Sequence, residues 1–190
     1  MNEKKRLGLA LCGSYCTYDK LFAAAERLRE SYELIPIMSE TAAETDTRFG
    51  AASVNIRRLM ELTGREVITT IADAEPLGPA KPLDALLIAP CTGNTLAKIA
   101  NGVSDSAVSL AVKAHLRNER PVLIAISSND ALSGNAKNLG VLMNTKNIFF
   151  VPFGQDDALK KPTSLVAKVE MIPAAVEAAL KGKQIQPLLM

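Results

Sequence analysis

Short apolar runs that alternate with amphipathic segments of helical period predict an α/β sandwich of three layers, with a mostly parallel sheet between helices on both faces. Two observations carry that expectation. Residues 7–12, 32–38, 84–89 and 122–126 are rich in apolar side chains, the pattern of strands buried on both faces. Each run ends in a small polar loop, and helical periodicity follows. The chain has 190 residues, enough for one domain of roughly 100–200 residues with a real core. No repeat, low-complexity tract or domain-scale linker interrupts it, so residues 1–190 read as a single Rossmann-like domain.

The elements follow in order. The start, MNEKKRLGLALCG, resembles a signal peptide in being charged and then apolar. Its apolar part is short and ends in a turn, so it reads as a first strand. After Gly13, Ser14, Tyr15, Cys16 and Thr17 comes a helix with Leu21, Phe22, Ala25 and Leu28 on one face. Residues 32–38 form the second strand, with Ser39, Glu40 and Thr41 in its loop. A helical region is predicted over 45–62 through Phe49, Val54, Ile56, Leu59 and Met60, stopped by Gly64. Residues 65–82 carry Pro76, Gly78, Pro79 and Pro82. They read as a short extended piece (67–71) and a surface loop suited to a lid or an oligomer contact.

The strand at 84–89 ends at Pro90 and leads into Cys91, Thr92, Gly93, Asn94 and Thr95, then a helix from Leu96 that Thr95 can cap. Asp105 or Ser104 caps a further helix to about Arg117, with Ser106, Ser109, Lys113 and Arg117 as its polar stripe. His115 falls roughly opposite and reads as a core or oligomer-contact residue. A strand at 122–126, the loop Ser127, Ser128, Asn129 and Asp130, a helix at 134–144 and a final strand at 148–151 follow. An amphipathic region over 164–181, bent or restarted at Pro173, closes the chain.

Composition excludes several classes of function. Net charge is +2 with no basic block, which gives nucleic acid or anionic membranes no handle. The apolar runs fall short of the roughly 18 residues that span a bilayer. Cys12, Cys16 and Cys91 are odd in number and lack metal-ligand spacing, and there is one histidine, so neither a disulfide framework nor a zinc site is expected. A reduced, cytoplasmic setting follows.

In a parallel sheet the loops at 13–17, 39–41, 91–95 and 127–130 all open on one edge, the usual ligand site of such folds. None holds a cluster of lysines or arginines. An anion there relies on backbone N–H groups, hydroxyls and helix N-termini. The first loop lacks G-x-G-x-x-G, so a dinucleotide fingerprint is absent. A flavin mononucleotide (FMN) suits such a site, with one phosphate, a polar ribityl chain and a flat ring.

The segment PCTGNTLAKIANGVSD resembles the Asn-Thr signature of the homo-oligomeric flavin-containing cysteine decarboxylases, a family of FMN proteins. The resemblance implies FMN contacts at Gly13, Ser14 and Tyr15, at Ser39, at Thr92, Gly93, Asn94 and Thr95, and at Ser127. It also implies trimers or larger assemblies. Two departures limit it. Residues 48–62 lack the histidine of the decarboxylases, and Ser127, Ser128, Asn129 and Asp130 stand where the family carries a Pro-x-Met-Asn type motif. Decarboxylation is therefore not inherited with the fold.

VPFGQDD, KPTSLVAK and GKQIQP in the last forty residues are similar to one member in particular, the flavoprotein-like component of a two-component oxidoreductase acting on a small dicarboxylate. That similarity implies a nicotinamide-dependent dehydrogenase partner, the A component of the same enzyme, holding NADP. It makes Asn129, Asp130 and Asn135 candidates to face the substrate. Two alternatives stay open at this point: a non-redox scaffold with a degenerate flavin pocket, and a stand-alone flavin enzyme of decarboxylase or prenyl-transferring type.

Overall fold

A computed structural model of the chain describes residues 4–80 and 82–190. Seven strands form one sheet: β1 (Lys5–Leu11), β2 (Tyr32–Met38), β3 (Ala85–Cys91), β4 (Val122–Ser128), β5 (Ile148–Phe150), β6 (Phe153–Asp157) and β7 (Lys161–Ala167). The order is β2-β1-β3-β4-β7-β6, with β5 also on β4. Pairings among β1 to β5 are parallel; β4–β7 and β6–β7 are antiparallel. The chain steps one way from β1 to β2 and the other way to β3. The crevice beyond the carboxyl ends of β1 and β3 is thus a topological switch point.

Period-two alternation splits the core between the faces. Leu87, Ala89, Leu123 and Ala125 turn to one face, and Leu86, Ile88, Ile124 and Ile126 to the other. The first face receives α1 (Tyr18–Ser31), α3 (Ala52–Thr63) and α8 (Ile172–Leu180), through residues such as Phe22, Leu59 and Val176. The second receives α4 (Ile71–Ala74), α5 (Gly93–Ala100), α6 (Ala107–Arg117) and α7 (Ala136–Met143), through Ala74, Leu96, Val108 and Leu139. A short α2 (Glu40–Glu44) follows β2.

Several expectations need correcting. The region 45–62 is not one helix. A turn with Thr47 bonded to Gly50 interrupts it, α3 begins at Ala52, and Phe49 and Val54 are exposed. Gly64 does end α3, in the left-handed conformation. Residues 71–80 are a packed corner rather than a free loop: Ala74 and Leu77 are buried, and Asn118 Nδ2 donates to the Gly78 carbonyl. The extended piece at 67–71 reduces to one bridge, Ile68 on Ile37. The α6 cap is Ser106, in a capping box with Ser109; both are buried rather than on a polar stripe.

The largest correction concerns the C-terminal third. The strand at 148–151 is not the last, because β6 and β7 make a hairpin that returns to β4. Residues 164–167 therefore belong to β7, and the helix starts only at Ile172. Asp157 builds the hairpin turn by accepting from the N–H groups of Leu159 and Lys160.

Candidate site at the carboxyl edge of the sheet

A cleft of ≈ 830 Å³ opens beyond the carboxyl ends of β1, β3 and β4. Ser14, Cys16 and Thr17 line one part, Thr92, Gly93 and Asn94 a second, and Ser127 to Asp130 a third; the hairpin and the segment after it form the remaining wall.

The first loop is held in an unusual conformation. Ser14 has φ 68 and ψ 45, left-handed values that a non-glycine residue adopts rarely and mostly where a site requires them. Its hydroxyl donates to the Ser127 carbonyl at 2.8 Å, and its own carbonyl accepts from the Thr17 amide and hydroxyl. The loop is thereby tied to the end of β4.

The second loop starts α5. Thr92 caps it, its Oγ1 accepting from the Thr95 amide at 3.3 Å, so the helix begins at Gly93 rather than at Leu96. Thr95 is buried beneath the loop instead of capping it. Asn94, exposed at the cleft, makes no hydrogen bond through its side chain with any described residue, so its carboxamide is free for both kinds of partner.

Gly93 is required by close approach. A Cβ there would stand 2.5 Å from Asp130 Oδ1, 2.5 Å from Ser128 Oγ and 2.7 Å from Asn135 Nδ2. These atoms form a network: Ser128 and Asn135 donate to the two oxygens of Asp130, and Asn138 donates to Asn135. The Ser128 hydroxyl, and then Asn135, hold the Asp130 carboxyl below its ordinary range against the opposing effect of burial. Asp130 is thus an ionised carboxylate packed at the first turn of α5, where the helix dipole favours it. Its oxygens are engaged by the loop, and Asn135 sits buried behind it. Asn129 differs: it is exposed, lines the cleft and leaves its carboxamide unbonded, while its carbonyl accepts from Thr163 of β7.

The fold therefore brings Ser14, Thr92, Gly93, Asn94, Ser127, Asn129 and Asp130 to one cleft. Gly13 lies just below, where a Cβ would meet Thr92 Cγ2 at 3.3 Å. Tyr15 turns away, its hydroxyl donating to the Thr41 carbonyl and its ring packing on Tyr18. Ser39 caps α2 by accepting from the Ala42 amide and does not line the cleft. Ser127 is the end of β4, paired with Val166, rather than a loop residue.

Sequence reasoning misses Cys16, Thr17, Lys20 and the entire hairpin wall, including Asp156, Lys161 and Lys168. The signal for the wall is Asp157 as a turn former before the β-branched and apolar run Thr163 to Val166. Burial pushes the Cys12 thiol up to about 11 and Cys91 well above its usual value, whereas Cys16 is exposed at the cleft; all three are free. Among the described residues no group of three histidine, cysteine or acidic side chains is arranged to hold a metal, and no helix is long and apolar enough to cross a membrane.

Known proteins share this architecture. The family model described as Flavoprotein matches residues 1–179. The chain is 50% identical to the B subunit of dipicolinate synthase from Bacillus subtilis (strain 168) over 187 residues, 98% of this chain and 94% of that one. It superposes on the crystal structure of the corresponding dipicolinate synthase B subunit from Bacillus halodurans with a TM-score of 0.90 at 46% identity, covering 100% of this chain and 98% of the other. The FMN-dependent cysteine decarboxylase SpaF, 24% identical with a TM-score of 0.67 over 93% of this chain and 95% of its own, shares the fold.

Proposed function

Because the chain belongs to the Flavoprotein family, we propose that it binds FMN in the cleft and works as the flavoprotein component of a dipicolinate synthase, together with a nicotinamide-dependent dehydrogenase component that carries NADP. The reaction in this reading oxidises a dihydrodipicolinate-level intermediate to the aromatic dicarboxylate. The carrying observation is the donor set of the cleft, which suits FMN. It offers hydroxyls at Ser14, Thr17 and Thr92, a helix N-terminus at Gly93 and the unbonded carboxamide of Asn94. A phosphate is served by N–H groups and hydroxyls, and a ribityl chain by an amide that both donates and accepts. When bound, the flavin supplies a two-electron acceptor.

The chain's own residues hold and orient. Ser14, Thr92, Gly93, Asn94 and Ser127 form the cofactor side in this proposal. Gly13 and Thr95 support it from beneath, and Tyr15 and Ser39 brace the first loop and α2. Asn129 faces the substrate. Asp130 and Asn135 fix the loop that presents Asn129, and the ionised Asp130 is a positioning residue rather than a carboxylate ligand. Assembly as a homo-oligomer of three or more copies, in the cytoplasm, belongs to the same proposal.

Reconstitution tests it. The chain, stripped of flavin and then refilled, is mixed with the dehydrogenase component, NADP and the dihydro substrate. NADPH formation that falls on stripping and returns on refilling is expected. A rate indifferent to flavin would instead make the chain a non-redox scaffold.

A further inference from the structure

The cleft carries cations that the cofactor-side loops lack. Lys20 enters from the first turns of α1, Lys161 from the start of β7 and Lys168 from the segment that follows β7. The elements bearing Lys20 and Lys168 are packed together, Thr17 and Leu21 sharing one small cavity with Val166, Ala167 and Val169. Lys161 is paired with Asp156, which raises its pKa. Lys20 and Lys168 have no side-chain hydrogen-bond or ion-pair partner among the described residues. Of the four acidic side chains around the cleft's cations, Asp130 is engaged by Ser128 and Asn135, Asp156 by Lys161, Asp157 by its own turn, and Glu170 is exposed. The cleft volume of ≈ 830 Å³ stands toward the top of the roughly 300–1,000 Å³ of ligand pockets, room for a small acid beside a cofactor.

We infer that Lys20 and Lys168 are the carboxylate-binding residues for a small dicarboxylate in this cleft, an inference that rests on the function proposed above. Two cations on adjoining elements match two carboxylates on one small ring, and charge-assisted bonds in a partly desolvated cleft are stronger than neutral ones. Neither lysine belongs to the loops assigned to the cofactor.

Calorimetric titration of pyridine-2,6-dicarboxylate and of pyridine-2-carboxylate, with and without FMN, tests the assignment on wild type, Lys20→Met, Lys168→Met and Glu170→Gln. FMN affinity is followed in parallel by fluorescence. The wild type is expected to prefer the dicarboxylate, each lysine variant to weaken it about tenfold with FMN affinity held within about twofold, as loss of a charge-assisted partner predicts. Glu170→Gln removes a like charge and should tighten the dicarboxylate, a gain that unfolding cannot mimic. Unchanged dicarboxylate affinity in both lysine variants overturns the subsite. So does a loss confined to FMN affinity, which would give the lysines to the flavin phosphate. A wild type that takes FMN but neither acid contradicts the substrate reading itself, a failure separable from that of the lysines.

Discussion

Asn94 is the residue on which the cofactor assignment can be divided from a turn-forming role. Thr92, not Asn94, satisfies the first turn of α5, and the Asn94 carboxamide has no partner among the described residues. Asn94→Ala should therefore leave the apo-protein within about 0.5 kcal/mol of wild type in denaturant melts. FMN binding should weaken by about 1–3 kcal/mol through partner groups left unpaired. Gly93→Ala should behave in the opposite way. Its methyl group would press on Asp130, Ser128 and Asn135, costing about 1–3 kcal/mol of stability, and adding Ser128→Gly should recover part of the loss. The role of Asn94 is legible in sequence because the motif concentrates donors at a helix start. The role of Gly93 is only half legible, because the atoms that exclude a side chain come from Ser128, Asp130 and Asn135, far along the chain. His115 adds a pH dependence. Its Nε2 is buried without a partner among the described residues, and burial, with the Arg120 charge, lowers its pKa to about 4 against Asp84. Between the ordinary value of 6.5 and about 4 the unfolded chain binds a proton that the folded chain refuses. Stability should thus be full above 6.5 and fall as pH drops through that window, by up to about 3 kcal/mol. A flatter acid limb in His115→Phe is expected; an unchanged one would free His115 of the effect.

At the scale of elements, the parallel half of the sheet is readable because β1, β3 and β4 are buried on both faces and each is closed by its own loop. The β6–β7 hairpin hides for a physical reason. Its strands carry Gln155, Asp156, Lys161 and Pro162 on exposed positions, so period-two alternation is weak, and its turn uses Asp157 in place of glycine. Asp157→Ala removes two side-chain bonds to the turn and should cost about 1 kcal/mol locally. Hydrogen exchange would register this as lost protection at Gln155 and Leu165 with β1 and β3 unaffected. Uniform loss across the sheet would mean that the hairpin is not a separate unit. The merged helix expected at 45–62 fails similarly, since apolar Phe49 and Val54 fit a helical period yet stand in solvent.

For the whole molecule, the account is that one sheet edge gathers hydroxyls, a helix N-terminus, free carboxamides and two unpaired lysines into a cleft for a phosphorylated cofactor and a small dicarboxylate. Exposed Phe49, Val54, Val141 and Met143 leave apolar surface for contacts between copies, and light scattering should find three or more chains together; a monomer at micromolar concentration would contradict that. The cofactor stands at the centre of the account. Fluorescence titration of the apo-protein with FMN and with riboflavin, which lacks the phosphate, tests it most directly. Saturable FMN binding that weakens by an order of magnitude or more without the phosphate is the predicted result. No saturable quenching of FMN, or equal affinity for both, would contradict it.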